Sequence, residues 1–337
     1  MIKKIDDTEN ALKAKLETLD VKALVKIVLN VLRLNPRLKK QIDSMAYGYY
    51  SDDLDDQHNA DAPARFGNIN DTEWTFEFSR ANDELFEYLF QLEDMDLSDA
   101  KLQKELEGII NKMPEVFDAS CELATLYMYE NKQKEARAVY EKALQVARTY
   151  IPKKFTPGKH TIPWLSMENR PFLRLLHGYA FLIEQTEGVA QAAQLYEELL
   201  SFNPNDNQGI RASLATAYLT LGKPAKLIEL ASQYPGDSTP EIATGKILAL
   251  YQLGQHKQAK KEIQECAKYQ KNVFAEILRT VHSKPKSVRD DGLVSCGGED
   301  QAWYYWQSQG DCWMNTPGAR EFLTECLERD KEIGDQG

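Results

Sequence analysis

The sequence predicts an all-α protein: a superhelix of stacked helix pairs, with a helical N-terminal module before it and an aromatic C-terminal cap after it. Two observations lead there. Alanine and large side chains recur at fixed spacings between residues 117 and 267, and from Asn82 onward the apolar positions follow a helical period almost without interruption. Composition sets the class: 337 residues, 42% hydrophobic and 28% charged, suit a soluble globular chain and exclude a collagen, a coiled-coil rod and a membrane protein. With 52 acidic against 41 basic side chains the formal charge is -11, which repels phosphate backbones and anionic lipid. Neither nucleic acid nor membrane is an expected partner.

Residues 1–47 read as a helical N-terminal module. Asp20 is a candidate N-cap, and Leu24, Val25, Val28, Val31 and Leu32 make one apolar stripe before Asn35-Pro36. The stretch is too short and too interrupted to span a bilayer, and the acidic start shows no secretory signal. Residues 48–81 read as an acidic loop or linker, with Asp52, Asp53, Asp55, Asp56 and Asp61 among Gly, Asn and Pro. The glycine and closing glutamate of a calcium loop are missing, so no metal is expected there. Five cysteines, Cys121, Cys266, Cys296, Cys312 and Cys326, form an odd set without a C-x-x-C pair. They suit reduced thiols in a cytoplasm rather than disulfides or zinc.

The repeat occupies residues 82–275. One copy carries Leu123-Ala124, Tyr127, Ala136, Tyr140 and Ala143. The next carries Gly178, Phe181, Ala192, Tyr196, Leu200 and Pro204, with two extra residues assigned to its internal turn. A third has Leu214-Ala215, Tyr218, Gly222 and Leu227, and a fourth Leu250, Gly254, Ala259, Ile263 and Ala267. A weaker, earlier copy ends on Leu102, Leu106, Ile109 and Ile110 before Pro114. The equivalent positions 136, 192, 227 and 259 are separated by 56, 35 and 32 residues. Small residues are needed where helix backbones approach closely, and large ones fill the holes between them. Each pair leaves an apolar face that only a stacked neighbour can bury. The excess in the 56-residue step is an insertion at 150–168, with Lys153, Lys154, Lys159 and His160 among prolines; it reads as a rim loop, either merely tolerated or carrying binding. Residues 276–337 form the Trp-rich cap, with a turn at Cys296–Asp300, a helix carrying Trp303 and Trp306, and a last helix capped by Thr316-Pro317.

These positions resemble the tetratricopeptide repeat, whose period is about 34 residues. The segments Glu168-Asn169-Arg170-Pro171 and Asn203 to Arg211 are also similar to stretches of uncharacterised bacterial tetratricopeptide proteins. The resemblance implies a superhelix that holds a peptide or partner helix in a concave groove lined by the first helix of each pair. Projecting the family's groove positions gives Thr125, Met128, Tyr129, Tyr179, Leu182, Thr216, Leu219, Leu248 and Tyr251. The carboxylate clamp of the chaperone-binding members is absent, since one of its positions holds Cys121, Leu175 and Ala212 in turn. The implied ligand is an apolar peptide or helix, anchored by Tyr129, Tyr179, Tyr251, Met128 and Leu219 and oriented by Arg174 and Arg211. Two alternatives stand beside this. The C-terminal segment could itself occupy the groove, and Arg170, Arg174, His177 and Arg211 could serve bonding between repeats.

No catalytic residue, cofactor or metal site is expected. There is no phosphate loop and no His-Glu-x-x-His, and the five histidines are scattered. The thiol of Cys296 sits beside carboxylates that oppose its ionisation. The expected function is non-catalytic protein binding, as an adaptor or scaffold with a protein or peptide ligand. The alternative is a regulatory or effector protein with an unrecognised activity in the N- or C-terminal module.

Overall fold

The computed structural model describes residues 64–93, 95–289 and 292–334, within a unit that spans Asn59–Gly337. The N-terminal module expected over 1–47, and the acidic run through Asp61, lie outside the described residues. Among the described residues two short strands, β1 (Arg65–Asn68) and β2 (Trp74–Glu77), precede thirteen α-helices. Five helix pairs follow: α1 (Arg80–Glu93) with α2 (Asp99–Lys112), α3 (Phe117–Tyr129) with α4 (Gln133–Tyr150), α5 (Arg170–Glu187) with α6 (Val189–Phe202), α7 (Ile210–Thr220) with α8 (Pro224–Gln233), and α9 (Pro240–Gln252) with α10 (His256–Cys266). The C-terminal part holds α11 (Lys271–Leu278), α12 (Glu299–Met314) and α13 (Ala319–Gly334). The array is a tetratricopeptide-like all-α superhelix in which each second helix packs on the first helix of the next pair.

Local chemistry explains the pairs. The residues expected at the close approaches, Ala124, Ala136, Ala192, Ala215 and Ala259, are completely buried. Three first helices end in the same turn. The N–H groups of Asn131, Gly222 and Gly254 bond to Met128, Leu219 and Tyr251 carbonyls, and those of Lys132, Lys223 and Gln255 to Tyr127, Tyr218 and Leu250. This termination requires positive φ at its first residue, which Gly222 and Gly254 adopt freely and asparagine tolerates at 131. Tyrosines then tie pair to pair: Tyr127 donates to Glu107 on α2, and Tyr218 to Glu197 on α6.

Two expectations change. Residues 65–77, read as part of a loop, form an antiparallel hairpin with Phe66 opposite Phe76. Its turn is held by Asn70 Oδ1, which accepts from the N–H groups of Thr72 and Glu73. Phe76 is fully buried, its ring 5.3 Å from Phe172 and 6.0 Å from Phe117. The insertion at 150–168 has no regular helix before the single turn at Met167–Asn169, as expected, but most of it is anchored to this chain. Thr161 exchanges backbone bonds with Thr72 and Trp74, Ile162 N–H donates to the Phe202 carbonyl, and buried Asn169 bridges Trp74, Phe76 and Pro163. The hairpin and the insertion thus brace each other against α3, α5 and α6.

Candidate functional site

One stripe of side chains can be followed along the first helices. On α3 it comprises Asp118, Glu122, Thr125 and Tyr129, spaced i, i+4, i+7, i+11. On α7 it includes Thr216 and Thr220, and on α9 Gly245, Leu248 and Gln252. On α5 the projected residues do not belong to it. Leu182 is buried, and Tyr179 lies against α4, its hydroxyl donating to Glu141 Oε1 at 3.1 Å and its ring 6.2 Å from Tyr140. The corresponding stripe of α5 is instead Arg170, Arg174 and His177, all half-buried, and exposed Phe181. The cause is the pair of extra residues. They lengthen α5 to 18 residues rather than widening a turn, and at about 100° per residue a two-residue offset swings the face by about 200°.

Both arginines expected to orient a ligand are engaged within the chain. Arg174 makes a two-pronged bond to Asp118, Nε–Oδ1 at 2.8 Å and Nη2–Oδ2 at 2.6 Å, tying α5 to α3. Arg211 bonds Asp206 at 2.8 Å and also Asp237, and stacks over the Tyr234 ring. Asp206 meanwhile accepts from the Ile210 and Arg211 N–H groups at the start of α7. Burial works against the Asp237 charge, but its bonds to Arg211 and Thr239 outweigh that and hold its carboxyl below the ordinary value. These charges serve bonding between repeats, the alternative weighed from the sequence.

The C-terminal half of the groove is filled by the chain itself. Helix α12 lies on α7 and α9. Gln309, completely buried, donates to Thr216 Oγ1 at 3.0 Å and toward the Glu241 carbonyl at 3.4 Å. Gln252 donates to Thr316 Oγ1 at 2.9 Å, and the Tyr251 hydroxyl to the Pro317 carbonyl at 3.1 Å. The approach is close: a Cβ on Gly245 would stand 3.1 Å from Gln309 Oε1. Leu219, expected as a ligand contact, is buried in this layer, and Tyr251 packs on Phe322 of α13 at 5.1 Å. Trp313 is buried with its indole N–H on the Tyr305 hydroxyl at 2.7 Å, while Trp306 stacks on His282. Asp300 secures the start of α12: the Ser295 N–H bonded to its carboxylate holds that group below its ordinary value. The turn covers only 296–298, because the tryptophan helix already begins at Glu299; α13 begins at Ala319, just past the Thr316-Pro317 expected to cap it.

Among the described residues, no helix lies over the N-terminal half of this stripe as α12 does over the C-terminal half. Tyr129 is 84% exposed and Phe181 47% exposed, and Met128, next to Tyr129 in the chain, is half-buried. Sequence reasoning found Tyr129 and Met128 but not Phe181, which it had assigned to packing; the signal was there, since Phe181 continues the Arg170, Arg174, His177 stripe by one more turn. Among the described residues no three His, Cys, Asp or Glu side chains are grouped to hold a metal. Burial pushes the Cys121 thiol well up, with Asp118 adding to the effect, so it is a poor nucleophile.

Comparison with known proteins adds a family. The family model named Tcf25 and described as transcriptional repressor TCF25 matches residues 79–308, about two thirds of the chain and all five helix pairs. Among solved structures the chain is similar to YrrB, described as a tetratricopeptide protein with an unusual peptide-binding site. The identity is 14% and the TM-score 0.38, over 66% of this chain and 91% of that one. It is similar at the same TM-score to Naa15/Naa10 bound to HypK-THB, with 15% identity over 75% of this chain but only 35% of that one. A putative kinesin light chain repeat protein from Podosopora anserina gives 17% identity and a TM-score of 0.35, over 57% of this chain and 96% of that one. No curated protein matches the sequence. The bacterial resemblance gains no support from the family match.

Proposed function

The chain belongs to the Tcf25 family, and from that membership and the shape of its groove we propose that it is a non-catalytic protein-interaction scaffold. The partner binds in the open half of the groove, over α3 and α5. The observation that carries this reading is the uncovered pair Tyr129 and Phe181 on this stripe, where the next two first helices are roofed by α12. Exposed aromatic side chains are enriched among the energetic anchors of interfaces. The binding residues are Tyr129, Met128 and Phe181. Arg174 acts by holding α3 to α5, Tyr179 by holding α5 to α4, and Arg211, Leu219 and Tyr251 by completing the array and its cap.

The family description as a transcriptional repressor supports a partner drawn from the control of transcription. It also bears on the regulatory alternative, because a scaffold that recruits such a partner regulates without an activity of its own. The five cysteines, none paired, support a reducing compartment, in line with the cytoplasmic expectation.

The test is affinity capture from cells of the source organism with the parent chain and with Tyr129→Ala plus Phe181→Ala, followed by mass spectrometry. The reading expects a protein retained by the parent and lost by the double variant. Equal recovery from both would remove the groove from consideration.

A further inference from the structure

Building on the groove reading above, we infer that the occupant of the open half is an amphipathic α-helix whose polar face is basic. Four observations converge.

The other half of the same groove already holds a helix, α12, seated on α7 and α9 through the same stripe. A helix is thus the shape this surface accommodates, and the open half is its continuation.

The residues at the ends of the stripe differ according to whether they are covered. Under the C-terminal cap they are polar and satisfied, with Thr220 beside Cys312 and Gln252 bonded to Thr316. On α3 and α5, which no described helix covers in this way, they are aromatic and exposed: Tyr129 at 84% and Phe181 at 47%. These are anchors for apolar side chains spaced by helical turns.

The floor offers little to an extended backbone. A bound strand-like peptide needs polar partners for its N–H and C=O groups, whereas a helix satisfies its own. Arg174 and Asp118 are committed to one another.

Charge sets the sign. Residues 71–130 contain 16 acidic and 4 basic side chains, so this segment alone carries more net negative charge than the whole chain. Glu122 is exposed on the α3 stripe two turns before Tyr129, Glu130, paired with Lys132, follows Tyr129 directly, and Asp83, Glu84 and Glu87 are exposed on α1. Such a field favours a cationic helix and repels an acidic one.

The probe is a synthetic peptide of about five helical turns, with leucine at i, i+3, i+4 and i+7 and lysine elsewhere. Two relatives accompany it: the same peptide with glutamate for lysine, and the lysine peptide broken by a central proline. Fluorescence anisotropy at near-physiological salt reads binding to the full chain. The expected result is that the lysine helix binds and both relatives bind at least about tenfold more weakly. Tyr129→Ala plus Phe181→Ala lowers its affinity by at least about tenfold. Glu122→Lys plus Glu130→Lys weakens it severalfold, whereas Glu325→Lys plus Glu328→Lys on α13 leaves it unchanged. All these side chains are exposed, and circular dichroism verifies that each variant keeps its helices. Equal binding of the acidic or proline-broken peptide overturns the inference, and so does an equal loss from the α13 variant. If no peptide binds while the capture experiment still depends on Tyr129 and Phe181, the helix is wrong and the groove stands. If that capture survives the aromatic substitutions, the groove reading itself fails.

Discussion

Gly178 has no room for a methyl group: a Cβ there would stand 2.4 Å from the hydroxyl of Tyr140, itself almost completely buried between α4 and α5. Replacing it with alanine forces the two helices apart, and a loss of about 1–3 kcal/mol in thermal or denaturant unfolding is expected. The Arg174–Asp118 pair is partly open to water, its side chains 41% and 12% exposed. A double-mutant cycle with alanine at both positions should therefore return a coupling of only about 1 kcal/mol. His177 makes a prediction in pH. Burial holds its imidazole below the ordinary value, with Asp206 partly opposing. The unfolded chain takes up that proton near pH 6.5 and the native chain only lower, so between the two values the unfolded state binds more protons. The contribution is complete above about pH 6.5 and declines as pH falls. Melting curves taken downward from about pH 7.5 should show a decline for the parent that His177→Gln flattens.

At the scale of elements, α12 is the informative one. It is bound through buried groups that leave no slack, with Gly245 beneath Gln309 and Trp313 filling its underside. Gly245→Val should lift α12 from α9, seen as faster hydrogen exchange over 299–314 while α3 to α6 keep their protection. Trp313→Ala removes a completely buried indole, and a loss of about 3–5 kcal/mol is expected. The elements also show where the sequence was readable. The helix pairs follow from alanine and tyrosine spacing because the contacts that need those residues are local and periodic. The face of α5 was not readable, because counting residues cannot say whether two extra ones widen a turn or lengthen a helix, and the two outcomes turn the face oppositely. The hairpin did leave a trace, with Trp74, Phe76 and Phe78 alternating, but four-residue strands in polar surroundings fall below what periodicity separates from a loop.

At the scale of the whole molecule, the array is a shared groove. Its C-terminal half is closed by the chain's own helix, and its N-terminal half presents aromatic side chains in an acidic field. Which half was which could not be read from the sequence. Leu219 and Tyr251 look as suitable for a ligand as Tyr129 does, and only the return of residues 299–317 across the groove, far along the chain, separates them. The arginines illustrate the same limit, since Asp118 and Asp237 lie 56 and 26 residues from the partners they neutralise. The central claim is this division, and site-specific photo-cross-linking tests it most directly. A benzophenone amino acid is placed at position 129 or position 220 of the full chain, and the products formed in cell extract are mapped by mass spectrometry. The account predicts that position 220 joins to residues 299–316 of the same chain, while position 129 joins to a different protein. Cross-links from 129 to the chain's own C-terminal segment, or from 220 to another protein, would contradict it.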